Sequence, residues 1–287
     1  MGGQGGGVIS RFAPSPTGLL HLGHAYSALR AHDFARDAGG QFLLRIEDID
    51  GTRSRPDHVA AILADLSWLG LAWDGQVLFQ SERTALYAQA LERLKAEGLV
   101  YPCFCTRADI AERLHAPHGA AAVYPGTCRG VAVSPGKLDA VPHSWRLDAA
   151  KARERVGTPT WHDATAGEQS ADLRDFGDVV LARKDAPASY HLAVTIDDAA
   201  QGVTHVVRGV DLFGATHVHR VLQALLDLPT PEYRHHVLLT DAAGHRLAKR
   251  HGAPTLAALR EAGEDGRALA DLLRAGQLPV GFAAAKD

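Results

Sequence analysis

Apolar positions change period repeatedly along the first hundred residues. Val8-Ile9-Ser10-Arg11-Phe12 is a short β-prone run, Ala25-Tyr26-Ser27-Ala28-Leu29-Arg30-Ala31 is helical in character, and Gln41-Phe42-Leu43-Leu44-Arg45-Ile46 reads as a strand again. This spacing predicts a helix over 24–38, a strand over 41–46, and helices around 56–69 and 82–97. From about residue 101 the text turns rich in Pro, Gly, Cys and His and carries no clear period. Pattern returns with 191–196 and 203–207, both read as strands, then a helix over 214–227, a strand at 237–239 and an amphipathic helical stretch over 255–275. Such alternation predicts an α/β fold, a doubly wound parallel sheet interrupted by an inserted, less regular subdomain.

The junction between the first strand and the first helix carries chemistry. Pro14, Pro16 and Gly18 end the strand, and His21-Leu22-Gly23-His24 opens the helix. Free N–H groups and the positive end of the helix dipole then face any anion lying there. Gly18 and Gly23 allow close approach of a ligand, and His21 and His24, three apart, fall on one side of the first turn where both can donate to phosphate oxygens. A second basic loop lies near the other end, with Arg246, Lys249 and Arg250 after the turn Asp241-Ala242-Ala243-Gly244.

Composition narrows the classes. With 287 residues, 46% of them hydrophobic, the chain can bury a core in one or two domains. It lacks a run of about 18 apolar residues and the basic and apolar regions of a signal peptide, so the expectation is a cytoplasmic protein that does not enter a membrane. Net charge is −3, which gives no overall pull toward nucleic acid. Contact with RNA would come from local patches: Arg53 with Arg55, Arg107 with Arg113, and the loop around His245, Arg246, Lys249, Arg250 and His251.

All three cysteines, Cys103, Cys105 and Cys128, fall in the irregular stretch. An odd number argues against a disulfide framework, while a C-x-C pair with a third thiol is a metal site in need of a fourth ligand. By chemistry alone, His115, His118 or a water would complete it.

The string Arg11-Phe12-Ala13-Pro14-Ser15-Pro16-Thr17-Gly18-Leu19-Leu20-His21-Leu22-Gly23-His24 resembles the HIGH-motif segment of class I aminoacyl-tRNA synthetases of the glutamyl and glutaminyl branch. The late basic loop stands where those proteins carry KMSKS, with Lys249 on the second lysine, Arg246 in place of the first and Ala248 in place of the first serine. The resemblance implies that His21, His24 and Lys249 serve catalysis, and that Gly18, Gly23 and Arg246 join them around ATP with Mg²⁺. It further implies that Arg11, Ser15, Glu47, Tyr190 and Arg208 bind L-glutamate. Taken singly, Arg11 and Glu47 could instead be a structural ion pair, Tyr190 a core edge and Arg208 a surface charge.

Short synthetase-like members of the glutamyl-queuosine type carry C-x-C followed by Y-x-x-x-C. That pattern implies one structural zinc on Cys103, Cys105, Tyr124 and Cys128, although 18 residues between Cys105 and Tyr124 leave His115 and His118 open as alternatives. The chain also leaves no room for the anticodon-binding domain of ordinary glutamyl and glutaminyl synthetases. It thus resembles the glutamyl-Q tRNA(Asp) synthetase family, which implies a monomer that activates glutamate without tRNA and esterifies it to queuosine in the anticodon of tRNA(Asp). The expected organisation is a flexible tail over 1–7 and a Rossmann-like catalytic domain split into 8–100 and 191–254. The zinc-bearing insertion spans 101–190 and a helical region 255–287. Competing readings are a truncated glutamyl-tRNA synthetase charging tRNA(Glu), another H-x-G-H nucleotidyltransferase, and a non-catalytic tRNA-binding paralogue.

Overall fold

The computed structural model describes residues 7–106, 108–110, 123–241, 254–277 and 282–284. Its first part runs β1 (Ile9–Phe12), α1 (Leu22–Asp37), β2 (Gln41–Ile46), α2 (Pro56–Trp68), β3 (Leu78–Phe79) and, after a 3₁₀ turn at Gln80–Arg83, α3 (Thr84–Ala96). Strand β4 (Val100–Cys103), α4 (Pro135–Ala140), β5 (Ser144–Leu147), α5 (Ala149–Val156), β6 (Thr160–Asp163), β7 (Gly167–Ser170) and β8 (Val180–Ala182) occupy the stretch without a clear period. There follow α6 (Tyr190–Ala200), β9 (His205–Gly209), α7 (Ala215–Leu225), β10 (Glu232–His236), β11 (Leu239–Asp241), α8 (Leu256–Glu261), α9 (Gly266–Arg274) and β12 (Phe282–Ala284).

The parallel sheet has two halves that meet at β1. On one side β1 pairs with β2 and β2 with β3, all parallel. On the other, β9 pairs with β10 and β10 with β6, again parallel, with β7 antiparallel on the outer edge of β6. Thr204, just before β9, donates its N–H to the Ile9 carbonyl at 3.0 Å and accepts from Ile9 N at 2.8 Å, which sets β9 alongside β1. Strand order thus reverses at β1/β9, and in such sheets the crevice for ligands opens beyond the carboxyl ends of the strands at that point.

Two cores hold the layers. One gathers Leu22, Ala25, Ala28, Leu29, Phe42, Leu44, Ile46, Ile62 and Leu66 around α1 and α2, and α8 and α9 add Leu256, Ala270 and Leu273 to it. The other collects Tyr87, Leu94, Leu147, Trp161, Leu181, Leu192, Val206, Leu222 and Tyr233. The stretch read as irregular feeds both a separate antiparallel sheet, β4-β5-β8, and, through β6, the main parallel sheet.

Several local expectations need correction. Residues 191–196 are not a strand but the body of α6, which buries Leu192, Ala193, Val194, Thr195, Asp197 and Asp198. A short apolar run buried all round has no helical polar face, so its periodicity cannot distinguish strand from helix. The strand expected at 237–239 falls instead in the break between β10, which ends at His236, and β11, which opens at Leu239. The helix expected over 255–275 is two, broken after Glu261 where Gly263 adopts a left-handed φ of +84°.

Candidate active site

His21 ends the turn after β1 and caps α1. Its ring Nδ1 accepts the N–H of Gly23 at 3.1 Å, and His24 Nδ1 accepts the N–H of His21 at 3.1 Å, a reciprocal cap in which two imidazoles do the work usually given to Ser and Glu. Each Nδ1 therefore acts as acceptor, so the neutral rings carry their protons on Nε2. The rings lie 3.8 Å apart, centroid to centroid. A Cβ at position 23 would lie 3.0 Å from His21 Cε1, so the ring would have to give by a few tenths of an ångström.

The two histidines line a cavity of about 370 Å³ at the carboxyl ends of β1 and β9, together with Gly23, Arg11, Ser15, Glu47, Tyr190 and Arg208. Residues far apart in the chain, expected around one nucleotide and one amino acid, thus share a single crevice. Gly18 does not line it. Arg246 and Lys249 lie outside the described residues, as do His115 and His118. A second cavity of about 510 Å³ shares Ser15, Glu47 and Tyr190 with the first and adds Arg53 and Arg183.

Beneath the first cavity lies a buried charge network. Asp198, from α6, takes Arg11 in a two-pronged grip at 2.9 and 3.3 Å and also accepts from Arg45 at 2.8 Å. Burial works to raise the Asp198 carboxyl, but the two guanidinium groups hold it below its ordinary value. Arg45 is fully buried, and its Nη2 lies 3.5 Å from Glu47. Burial pushes the Glu47 carboxyl up, against the pull of Arg45 and Arg11. Neighbouring Asp197 accepts from Gln80, Arg83 and Tyr87.

Arg208, at the end of β9, is held differently. It donates to His235 Nε2 at 3.1 Å, the Tyr190 hydroxyl at 3.2 Å, the Leu212 carbonyl at 3.1 Å and Thr216 Oγ1 at 2.7 Å. Only 4% exposed, it is no surface charge. Nor do Arg11 and Glu47 form an ion pair: Arg11 pairs with Asp198, and Glu47 stands beside Arg45. The sequence reading missed Asp197, Asp198, Arg45, Asp163 and His235. For the first pair a signal existed, two adjacent acids closing an apolar run.

At the far end of β4, the Sγ atoms of Cys103, Cys105 and Cys128 lie within 4.8 Å of one another. The Tyr124 hydroxyl stands 3.4 Å from both Cys103 and Cys105 and accepts the N–H of Cys128 at 3.0 Å. Three thiols around one phenol oxygen form a donor set that suits a soft, four-coordinate cation. Among the described residues no helix is long and apolar enough to cross a membrane.

Comparison with known proteins decides the family. The model of the class I tRNA synthetase catalytic domain, glutamate and glutamine type, matches residues 7–279. The chain belongs to that family. Within it, this class I synthetase is 52% identical over 270 residues to the glutamyl-Q tRNA(Asp) synthetase of Rhodobacter capsulatus, covering 89% of this chain and 96% of that one. It is 47% identical to that of Deinococcus radiodurans, covering 92% and 88% of the two chains. The glutamyl-Q tRNA(Asp) synthetase branch is thus its place among class I synthetases. Among solved structures, a glutamate tRNA ligase from Elizabethkingia meningosepticum in complex with its amino acid superposes with a TM-score of 0.78 at 26% identity. The match covers 93% of this synthetase but 60% of the ligase, so this chain spans about three fifths of that longer protein.

Proposed function

We propose that the protein activates L-glutamate with ATP and transfers the glutamyl group to queuosine in the anticodon of tRNA(Asp). The observation that carries this reading is the convergence of Arg11, Glu47, Tyr190 and Arg208 with His21 and His24 on one cavity at the strand-order reversal. A ligand with two carboxylates and one ammonium needs two cationic forks and an anionic acceptor. Arg208 is the fork whose charge is unshared, Arg11 reaches the ligand through the Nη1 that Asp198 does not engage, Ser15 and Tyr190 add hydroxyls, and Glu47 accepts from the ammonium.

In the first step an oxygen of the glutamate α-carboxylate attacks the α-phosphorus of ATP in line with the departing group. The bond from that phosphorus to the bridging oxygen breaks, and pyrophosphate leaves. No protein nucleophile is needed; placement and charge stabilisation do the work. His21 and His24 donate from Nε2 to phosphate oxygens, beside the N–H groups that open α1. Gly23 gives the nucleotide room, Mg²⁺ arrives with it, and Lys249 and Arg246 meet the charge that develops on pyrophosphate. Losing one such donor costs about 3 kcal/mol at the barrier. In the second step a hydroxyl of the queuosine diol attacks the acyl carbon, and AMP departs.

Zinc fits the cysteine cluster, held by Cys103, Cys105, Cys128 and the Tyr124 oxygen. When bound it ties the 103–105 and 124–128 segments together and takes no part in the chemistry.

ATP–pyrophosphate exchange with a panel of amino acids, without tRNA, tests the first step; glutamate alone is expected to support it. Labelled glutamate offered with tRNA(Asp) bearing or lacking queuosine tests the second, with transfer expected only to the modified tRNA. Transfer to the 3′ end of tRNA(Glu) would overturn the acceptor assignment, and exchange independent of glutamate would overturn the whole reading.

A further inference from the structure

Arg208 is a buried guanidinium whose partners are all neutral. A carbonyl, a hydroxyl, a phenol and an imidazole take its hydrogen bonds, and no carboxylate of the described residues touches it. Arg11, across the same cavity, is by contrast clasped directly by Asp198. The nearest negative charge in the Arg208 chain of hydrogen bonds sits one ring away. His235 Nδ1 meets Asp163 Oδ2 at 2.7 Å, with Asp163 only 1% exposed.

Proton positions along this chain follow from chemistry. Guanidinium is donor only, so His235 Nε2 must accept, Nδ1 must carry the hydrogen, and Asp163 must receive it. Asp163 can do nothing else: Oδ2 also accepts the N–H of His235 at 3.1 Å, and Oδ1 accepts the N–H groups of Thr165 and Ala166, each at 2.9 Å. Four N–H groups surround one carboxylate. The imidazole plane is fixed by Tyr233, parallel to within 2°, and by the edges of Phe213 and Trp161. Strand register delivers the acid, because Tyr233 of β10 stands opposite Asp163 of β6.

We infer that Asp163 and His235 are positioning residues for the amino-acid substrate: they orient Arg208 through a neutral imidazole while leaving its positive charge for a substrate carboxylate. A carboxylate placed directly on the guanidinium would orient it equally well but neutralise it. This inference rests on the reading of Arg208 as a glutamate fork, and the variants below separate the two.

Glutamate and ATP KM values are measured by pyrophosphate exchange, with the melting temperature as a control for folding. Asp163→Asn turns an NH₂ against two N–H donors and frees the ring, so glutamate KM is expected to rise about tenfold or more while ATP KM stays within about twofold. His235→Gln offers an oxygen to Arg208 and an N–H toward Asp163, and is expected to retain most of the affinity for glutamate. His235→Glu should lose at least as much as Asp163→Asn, because it supplies the competing charge. Should Asp163→Asn fail to fold, the contrast between the Gln and Glu variants at 235 decides. If Arg208→Gln leaves glutamate KM unchanged, the fork assignment falls and takes the relay with it. If Arg208→Gln raises it but His235→Glu and a folded Asp163→Asn do not, the relay alone is overturned. Equal losses in the Gln and Glu variants at 235 would likewise reduce it to a packing role.

Discussion

Histidine is used here as a neutral hydrogen-bonding ring, and that choice has a pH signature. Burial, reinforced by Arg208, pushes both His235 and His191 down to about 4, well below the ordinary 6.5. Between those values the unfolded chain binds protons that the native state refuses, so the free energy of unfolding falls as pH drops from 6.5 towards 4 and levels below it. Each ring contributes on the order of 3 kcal/mol across that window. The acids held low, such as Asp33 at about 2, lose their contribution only further down, as pH falls from 3.8, so the two effects separate. Urea denaturation at about pH 7 and about pH 4.5 should show the loss, and His235→Gln should remove part of it. A flat profile would mean that these rings are charged in the native state. At this scale the grouping of His21, Gly23 and His24 was legible in the sequence, because they are neighbours in the chain as well as in space, whereas Arg11, Glu47, Tyr190 and Arg208 were joined only by the family resemblance. Asp163 and His235 were not legible, since only the pairing of β6 with β10 joins residues 72 positions apart.

The first turn of α1 couples a helix cap to the site. Glycine at position 23 is a poor helix former, and alanine there would add about 0.5–1 kcal/mol of helix stability. Its Cβ would nevertheless crowd the His21 ring, 3.0 Å from Cε1 and 3.2 Å from Nδ1. Gly23→Ala is therefore expected to melt no lower than the parent protein while pyrophosphate exchange falls about tenfold or more. Exchange unchanged from the parent would show that the His21 ring needs no room beside position 23. Element boundaries followed the same logic of visibility. Helix α1 was expected over 24–38 and runs over Leu22–Asp37, because its buried Ala25, Ala28, Leu29, Ala31 and Ala35 recur at helical spacing. Helix α6 was read as a strand over 191–196, because protein surrounds it and erases the contrast on which the period depends. Strands β6 and β7 escaped notice for a different reason, since each is four residues long and lies in turn-rich text.

At the scale of the molecule, the cysteine cluster stands at the end of the antiparallel sheet β4-β5-β8, so a metal bound there would brace that sheet and not the parallel one. Cys103 ends β4, and Tyr124 and Cys128 arrive from a segment without regular structure. Cys105→Ser should lower the bound zinc from about one equivalent to near zero by elemental analysis, and should lower the melting temperature of the holoprotein. Full zinc content in that variant would assign the metal to other ligands. Overall architecture was the most legible level of all, because alternating strands and helices admit few arrangements. The entry of β6 into the main sheet, from within the stretch read as an insertion, was the part that chain order concealed.

The seam where Ile9 meets Thr204 closes across 195 residues. During synthesis at about 5–20 residues per second, one edge of β1 waits on the order of ten to forty seconds for its neighbour. Throughout that interval the nascent protein offers an open template for pairing with foreign strands. Substitutions that delay β9 should thus reveal themselves as insoluble product and chaperone dependence, well before any defect is measurable in the purified enzyme.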